Sequence, residues 1–203
     1  MKHVKIFSLL VLLCSAVGVF AQGAAKPATP ASAPQAPPTI AAVIDREVGM
    51  IEKEFVDAAE AMPEDKFNFA PANQSVPGSD FKGVRTFAQQ VKHVATVNFM
   101  LWGTITGDKP PVDINNGDGP ASMTSKADIV KYLKDSYALG HRAAKTLTAE
   151  NIVSQVPSPF GPSQTTRLFC ATFSVAHGFD HYGQMVEYLR MNGIIPPASR
   201  GNN

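Results

Sequence analysis

Four stretches of this chain repeat their apolar residues every three or four positions, and no segment alternates with period two for long enough to make a convincing strand. The first stretch has Ile44, Val48, Ile51, Phe55, Ala58 and Met62, and Pro63 ends it because the residue before a proline leaves helical geometry. Residues 64–80 read as a loop. A second helix starts near Gly83 to Arg85 and runs to about Thr104, with Phe87, Val91, Val94, Val97, Met100 and Leu101 on a broad apolar side. Residues 107–121 hold Pro110-Pro111 and Asn116-Gly117-Asp118-Gly119, and form either a solvated connector or a lid or wall beside a site. The third helix opens on Ser125-Lys126-Ala127-Asp128, the spacing of a capping box. Its buried side is Ile129, Leu133, Tyr137, Ala144 and Leu147, and Gly140 lets another helix come close. After a polar loop with Gly161-Pro162-Ser163, the last helix spans Arg167 to Asn192 and stops at Gly193 and Pro196-Pro197. The fold class is all-α, a four-helix bundle whose middle connections are longer than a minimal up-down bundle needs.

Ahead of the helices lies a segment of a different kind. Lys2, His3 and Lys5 form a short basic start, Ile6 to Phe20 is apolar, and Val19-Phe20-Ala21 fits a cleavage site before Gln22. Residues 1–21 are therefore expected to be a signal peptide, too short for a membrane span, and the protein to be exported to the periplasm or the extracellular space. A lipoprotein at Cys14 and an uncleaved anchor are the alternatives. Residues 22–38 are a flexible Ala/Pro-rich linker, with Pro27, Pro30, Pro34, Pro37 and Pro38 and few side chains that could build a core. The bundle is expected over residues 39–198 and a disordered tail over 199–203. Cleavage would change the formal charge from +1 to −1 by removing Lys2 and Lys5. A near-neutral chain without a basic run has no electrostatic footprint for nucleic acid, and none is expected as a partner. No membrane association is expected after cleavage. Cys170 is then the only cysteine, which excludes an internal disulfide; among Phe169, Ala171 and Phe173 it reads as a small buried hydrophobe, with a nucleophile as the alternative.

The candidate chemistry lies in histidines. His177 and His181 are four apart in the last helix, one above the other on a stripe with Phe173, Gln184 and Tyr188 that should face the core. His93 lies within the apolar side of the second helix, near Gln90 and Val97. His141 has no expected role. In a bundle, metal sites are built from inward side chains of facing helices, and three neutral imidazoles make an open site for a divalent first-row metal. The alternative is three core histidines bonded to backbone or carboxylate. Zinc proteases of the H-E-x-x-H kind need a glutamate where this chain has Gly178, and the Glu-x-x-His pairs of di-iron bundles are missing. Asp180 points about 100° away from His181 round the helix. Catalytic residues stay unassigned, with Asp180 and Tyr188 as candidate general bases. Trp102, Phe99 and Tyr137 line either an apolar pocket or the core.

The run from His177 through His181, Gly183, Gln184, Tyr188-Leu189-Arg190 and Gly193 to Pro196-Pro197 has the pattern H-x-x-x-H-x-G-Q, then Y-L-R, Gly and Pro. It resembles the end of the DinB-like (damage-inducible) family. Val91-Lys92-His93-Val94-Ala95 looks like that family's second-helix motif, and Glu64-Asp65-Lys66-Phe67 and Ser125-Lys126-Ala127 also match. The resemblance covers nearly all of residues 40–198. It implies a four-helix bundle, often a homodimer, with His93, His177 and His181 as ligands of one divalent metal: zinc, nickel or iron. Gly183 would allow close helix packing, and Gln184 would pack or support a ligand. Characterised members include thiol-cofactor S-transferases, a thiol-dependent isomerase and proposed metal-dependent hydrolases. Export argues against thiol transfer, since low-molecular-weight thiol cofactors are cytosolic. A metal that lowers the pKa of a water can still serve hydrolysis. The expectation is an exported metal-dependent hydrolase or transferase of an unknown small-molecule substrate. The alternatives are a non-catalytic metal- or ligand-binding stress protein and a purely structural bundle.

Overall fold

Each helix starts where a side chain can take up amides that the first turn leaves free. A computed structural model describes residues 37–73 and 77–201; residues 1–36, which contain the expected signal peptide and most of the linker, and the last two residues of the expected tail lie outside the described residues. Thr39 caps α1 (Ile40–Ala61) by accepting the Ala42 N–H at 3.1 Å. The helix α2 (Phe87–Thr106) opens on a reciprocal box: Thr86 accepts the Gln89 N–H at 3.2 Å, and the Gln89 side chain accepts the Thr86 N–H at 2.8 Å. This box starts α2 slightly later than the apolar pattern places it. Ser125 caps α3 (Lys126–Ala144) as expected, but the Asp128 carboxylate takes the serine hydroxyl at 2.7 Å instead of a free amide. Thr166 caps α4 (Arg167–Met191). Just before α4, β1 (Gln155–Pro157) and β2 (Gln164–Thr166) pair antiparallel with Val156 opposite Thr165. The sequence reading contains no strand here, because three residues with one buried side chain carry no alternation to detect.

Both α1 and α2 pack against both α3 and α4, so consecutive helices α1 and α2 face each other across a diagonal, as do α3 and α4. That arrangement explains the long connections. Cross-helix pairs give the directions. Asp45 meets His141 while Met62 meets Lys126, so α1 and α3 are antiparallel. Asn98 meets Ser174 while Ile105 meets Arg167, so α2 and α4 are antiparallel. Thr96 meets Tyr132 and Asn98 meets Ser136, so α2 and α3 run parallel. Two parallel neighbours in succession force the connection 107–125 to travel back along the bundle, which carries it past His93.

The close approaches are specific. A Cβ on Gly140 would lie 3.0 Å from the Trp102 indole nitrogen, as the sequence leads one to expect, and one on Gly178 would lie 2.7 Å from Ile51 Cγ1. A Cβ on Gly183 meets nothing within 4 Å, so that glycine does not serve close packing. The carbonyls at the end of α1 have no basic residue in their own last turn; Lys126 of α3 reaches them instead, donating to Glu60 O at 2.9 Å and Met62 O at 2.6 Å. Trp102, Phe55, Phe87, Leu101, Leu133 and Leu189 are fully buried, each contributing about 1.5–3 kcal/mol of hydrophobic stabilisation. Cys170 is buried as expected. Trp102, Phe99 and Tyr137 lie in this core, which removes them as pocket-lining residues. The expected inward stripe of α4 is correct at His181 and Tyr188 but not at Phe173, which is 36% exposed. Among the described residues no helix is long and apolar enough to cross a membrane.

Candidate metal centre

The antiparallel seam of α2 and α4 sets the register of the site. Gln90 sits opposite His181 and Gln184, His93 opposite His177, and Asn98 opposite Ser174. The three histidines singled out from the sequence converge. His177 Nε2 lies 3.2 Å from His93 Nε2 and 3.1 Å from His181 Nε2. Their ring planes are steeply inclined, between 61° and 70° to one another, so the nitrogens point at a common centre instead of stacking. His181 is buried and the other two are half-buried.

The outer nitrogens decide which form these rings take. His93 Nδ1 is 2.8 Å from the Gly117 carbonyl, which can only accept, so Nδ1 carries the proton and Nε2 a lone pair. His181 Nδ1 is 2.5 Å from Gln90 Oε1. The Gln90 amide nitrogen donates to Gln184 Oε1 at 2.9 Å, which leaves its oxygen to face the imidazole. His181 Nε2 therefore also carries a lone pair. His177 Nε2 faces both lone pairs and can offer a proton to only one of them. His177 Nδ1 is buried without a hydrogen-bond partner.

Burial keeps the rings neutral. It holds His177 down to about 3, helped by the neighbouring histidines and Arg85, and His181 down to about 4. Burial also lowers His93, against the Gly117 hydrogen bond that raises it. Converging lone pairs on neutral imidazoles are the donor set a divalent ion needs. The spacing fits too. Two nitrogens about 2.1 Å from one tetrahedral ion are roughly 3.4 Å apart, close to what is observed here. The three histidines could hold a metal ion, and among the described residues no cysteine or carboxylate joins them as a fourth ligand.

Residues that the sequence reading did not assign support this centre. Gln90, only 2% exposed, orients His181. The connection 107–125 acts as a wall, through Gly117. Arg85 grips Asp118 at 2.9 and 3.2 Å beside His93, whose Nδ1 is 3.9 Å from the same carboxylate. A glutamine on the apolar side of α2, one turn before His93, is the signal that could have identified Gln90. The candidate bases are engaged elsewhere: Asp180 is exposed and accepts from Gln184 at 3.4 Å, and the Tyr188 hydroxyl donates to Arg85 O at 3.0 Å. His141 does not stand free. Asp45 at 2.7 Å and Glu52 at 2.9 Å clamp its two nitrogens, tying α3 to α1.

The family model described as the DinB superfamily matches residues 47–185, more than half of the chain. A crystal structure of a DinB-like protein from Bacillus cereus superposes with a TM-score of 0.56 at 15% identity, covering 76% of this chain and 93% of that one. At that identity the likeness speaks for the fold alone. No curated protein matches the chain.

Proposed function

Since this chain belongs to the DinB superfamily, we propose that it is an exported metalloprotein that holds one divalent first-row ion through His93, His177 and His181 and acts as a metal-dependent hydrolase or transferase. One observation carries the metal reading: His177 Nε2 lies 3.1–3.2 Å from the Nε2 atoms of both His93 and His181, and at least two of the three nitrogens carry no proton. When bound, the ion would polarise an electronegative atom of a substrate or lower the pKa of a water. Gln90 and Gly117 fix the tautomers of His181 and His93, so both present Nε2 without rearrangement. With three protein ligands, one position is left for a substrate atom, the pattern of catalytic and not structural sites.

A second reading, a non-catalytic metal- or ligand-binding protein with the same bundle, is favoured by the engagement of Asp180 and Tyr188 elsewhere, which leaves the cluster without an evident general base. Metal content of protein purified without a histidine tag tests the shared premise. About one ion per chain is expected, and none in a variant with all three histidines changed to Ala. No metal after soaking with zinc, nickel and iron(II) would make the histidines structural. Export is read from residues 1–21 alone, and a mature chain beginning at Gln22 in the periplasm or medium is the expected result.

A further inference from the structure

An aromatic corner adjoins the histidine centre. Phe173, one turn before His177, has its ring centroid 5.8 Å from that imidazole. Phe169 stacks on Phe173 at 5.2 Å with planes only 10° apart. Phe160, from the turn joining β1 and β2, stands nearly upright against Phe173, at 5.9 Å and 77°. Two parallel rings from α4 and one perpendicular ring from another element make two walls and not a flat face. All three are open to solvent: Phe160 is 52% exposed, Phe169 42% and Phe173 36%. A cluster of exposed rings beside a candidate centre costs solubility and needs a reason. On the other side of the centre the Arg85 guanidinium stands beside His93, held by Asp118.

From this layout, and resting on the metal reading above, we propose that the ligand of this centre is a small amphiphilic anion. Its metal-binding end sits among the histidines, near Arg85, and its aromatic or alkyl body lies in the corner of Phe173, Phe169 and Phe160. A divalent ion favours a negative end, with the Arg85 charge already paired by Asp118, while apolar rings favour a body without charge. The two-walled shape fits the edge and face of a planar or chain-like body. A second copy of the chain is the competing occupant, because Leu168 and Phe179 extend the exposed apolar surface along α4, but a flat helix face would leave the wall made by Phe160 unused.

The test compares acetohydroxamic acid with 3-phenylpropionohydroxamic acid by calorimetry on the zinc-loaded protein, with sedimentation run in parallel. Both probes share the metal-binding end and differ in the body. The phenyl compound is expected to bind about tenfold tighter, the discrimination given by one or two aromatic contacts. That preference should fall below about threefold in Phe173→Ala and in Phe160→Ala, while acetohydroxamic acid binds unchanged; both side chains are exposed, so the fold survives their loss. Equal binding of the two probes, or a preference untouched by both variants, would overturn the inference and leave the metal reading intact. A dimer that Phe169→Glu dissociates without altering the preference would assign the corner to a second copy and overturn it as well. Absence of zinc and of binding by either probe would remove the metal reading and this inference with it.

Discussion

Replacing Gln90 with Leu isolates the support of one ligand from the ligand itself. Leucine is one atom shorter but of similar volume and apolar, so the buried position stays largely filled. What disappears is the acceptor 2.5 Å from His181 Nδ1 and the donor to Gln184. His181 is only 7% exposed, so its Nδ1–H is left without water or protein to bond. Leaving one buried donor unsatisfied costs about 1–3 kcal/mol, which corresponds to roughly 5- to 150-fold. The tautomer with the proton on Nε2 relieves that cost, but it closes the nitrogen that must face the ion. Metal affinity should therefore fall about 10- to 100-fold, the range typical when a ligand's hydrogen-bond partner is lost. Gln90→Glu should separate two effects. A buried carboxylate destabilises the metal-free bundle, yet it accepts from His181 Nδ1–H and makes that imidazole a stronger donor once a divalent charge is present. Zinc affinity measured by competition with a chromophoric chelator, alongside melting with and without zinc, reads both. An affinity in Gln90→Leu within threefold of the parent would refute the argument that this amide sets the tautomer.

Acid should weaken the metal-free protein through His177 and His181. Burial holds their folded pKa values near 3 and 4, below the ordinary histidine value, so their contribution is complete above about pH 6.5 and is lost as pH falls from there towards 3. Urea midpoints across that window should drop less in His177→Ala than in the parent. His141 should show the opposite sign: burial opposes its charge, but Asp45 and Glu52 outweigh this and raise it. Its contribution is complete below about pH 6.5 and is lost as pH rises through the raised value, and Asp45→Asn should flatten that dependence in thermal melts. Gly178→Ala should cost about 1–3 kcal/mol in urea unfolding, because its Cβ would sit 2.7 Å from Ile51 Cγ1 and α1 would have to move.

The helices were legible because burial repeats along them: Ile44, Val48, Ile51 and Phe55 are all buried where the period places them. The three histidines were legible as residues on apolar faces. Their meeting was not, because a single helix face contains no statement about which other face it opposes. It follows instead from the direction of α2 against α4, which the sequence encodes only through pairs such as Gln90 with Gln184 and Asn98 with Ser174. Phe173 shows the limit of periodicity. It lies one turn from His177, yet it is 36% exposed, because the seam with α2 continues through its neighbour Ser174, which meets Asn98, and leaves Phe173 at the edge. His141 looked like a surface residue because its partners are nearly a hundred positions away.

The connection 107–125 has a larger part in this site than its polar composition suggests. It returns along the bundle because α2 and α3 run parallel, and on the way Gly117 takes the His93 Nδ1–H, Lys92 donates to Pro120 O at 3.0 Å, and Asp118 takes Arg85. His93 belongs to α2 and the other two histidines to α4, so an ion held by all three ties two helices and, through Gly117, the returning connection. Unfolding separates these groups and leaves no preformed site, so occupancy should stabilise the fold by linkage. At zinc one hundred times its dissociation constant the gain is about 2.7 kcal/mol. In melts with and without zinc this should appear as a rise of several degrees in the parent and none in His93→Ala. The ion should also slow amide exchange in 115–119 as well as in the α2–α4 seam, because Gly117 is held by a ring that the ion fixes. A parent melting temperature unmoved by zinc would mean that the three nitrogens do not act as one site.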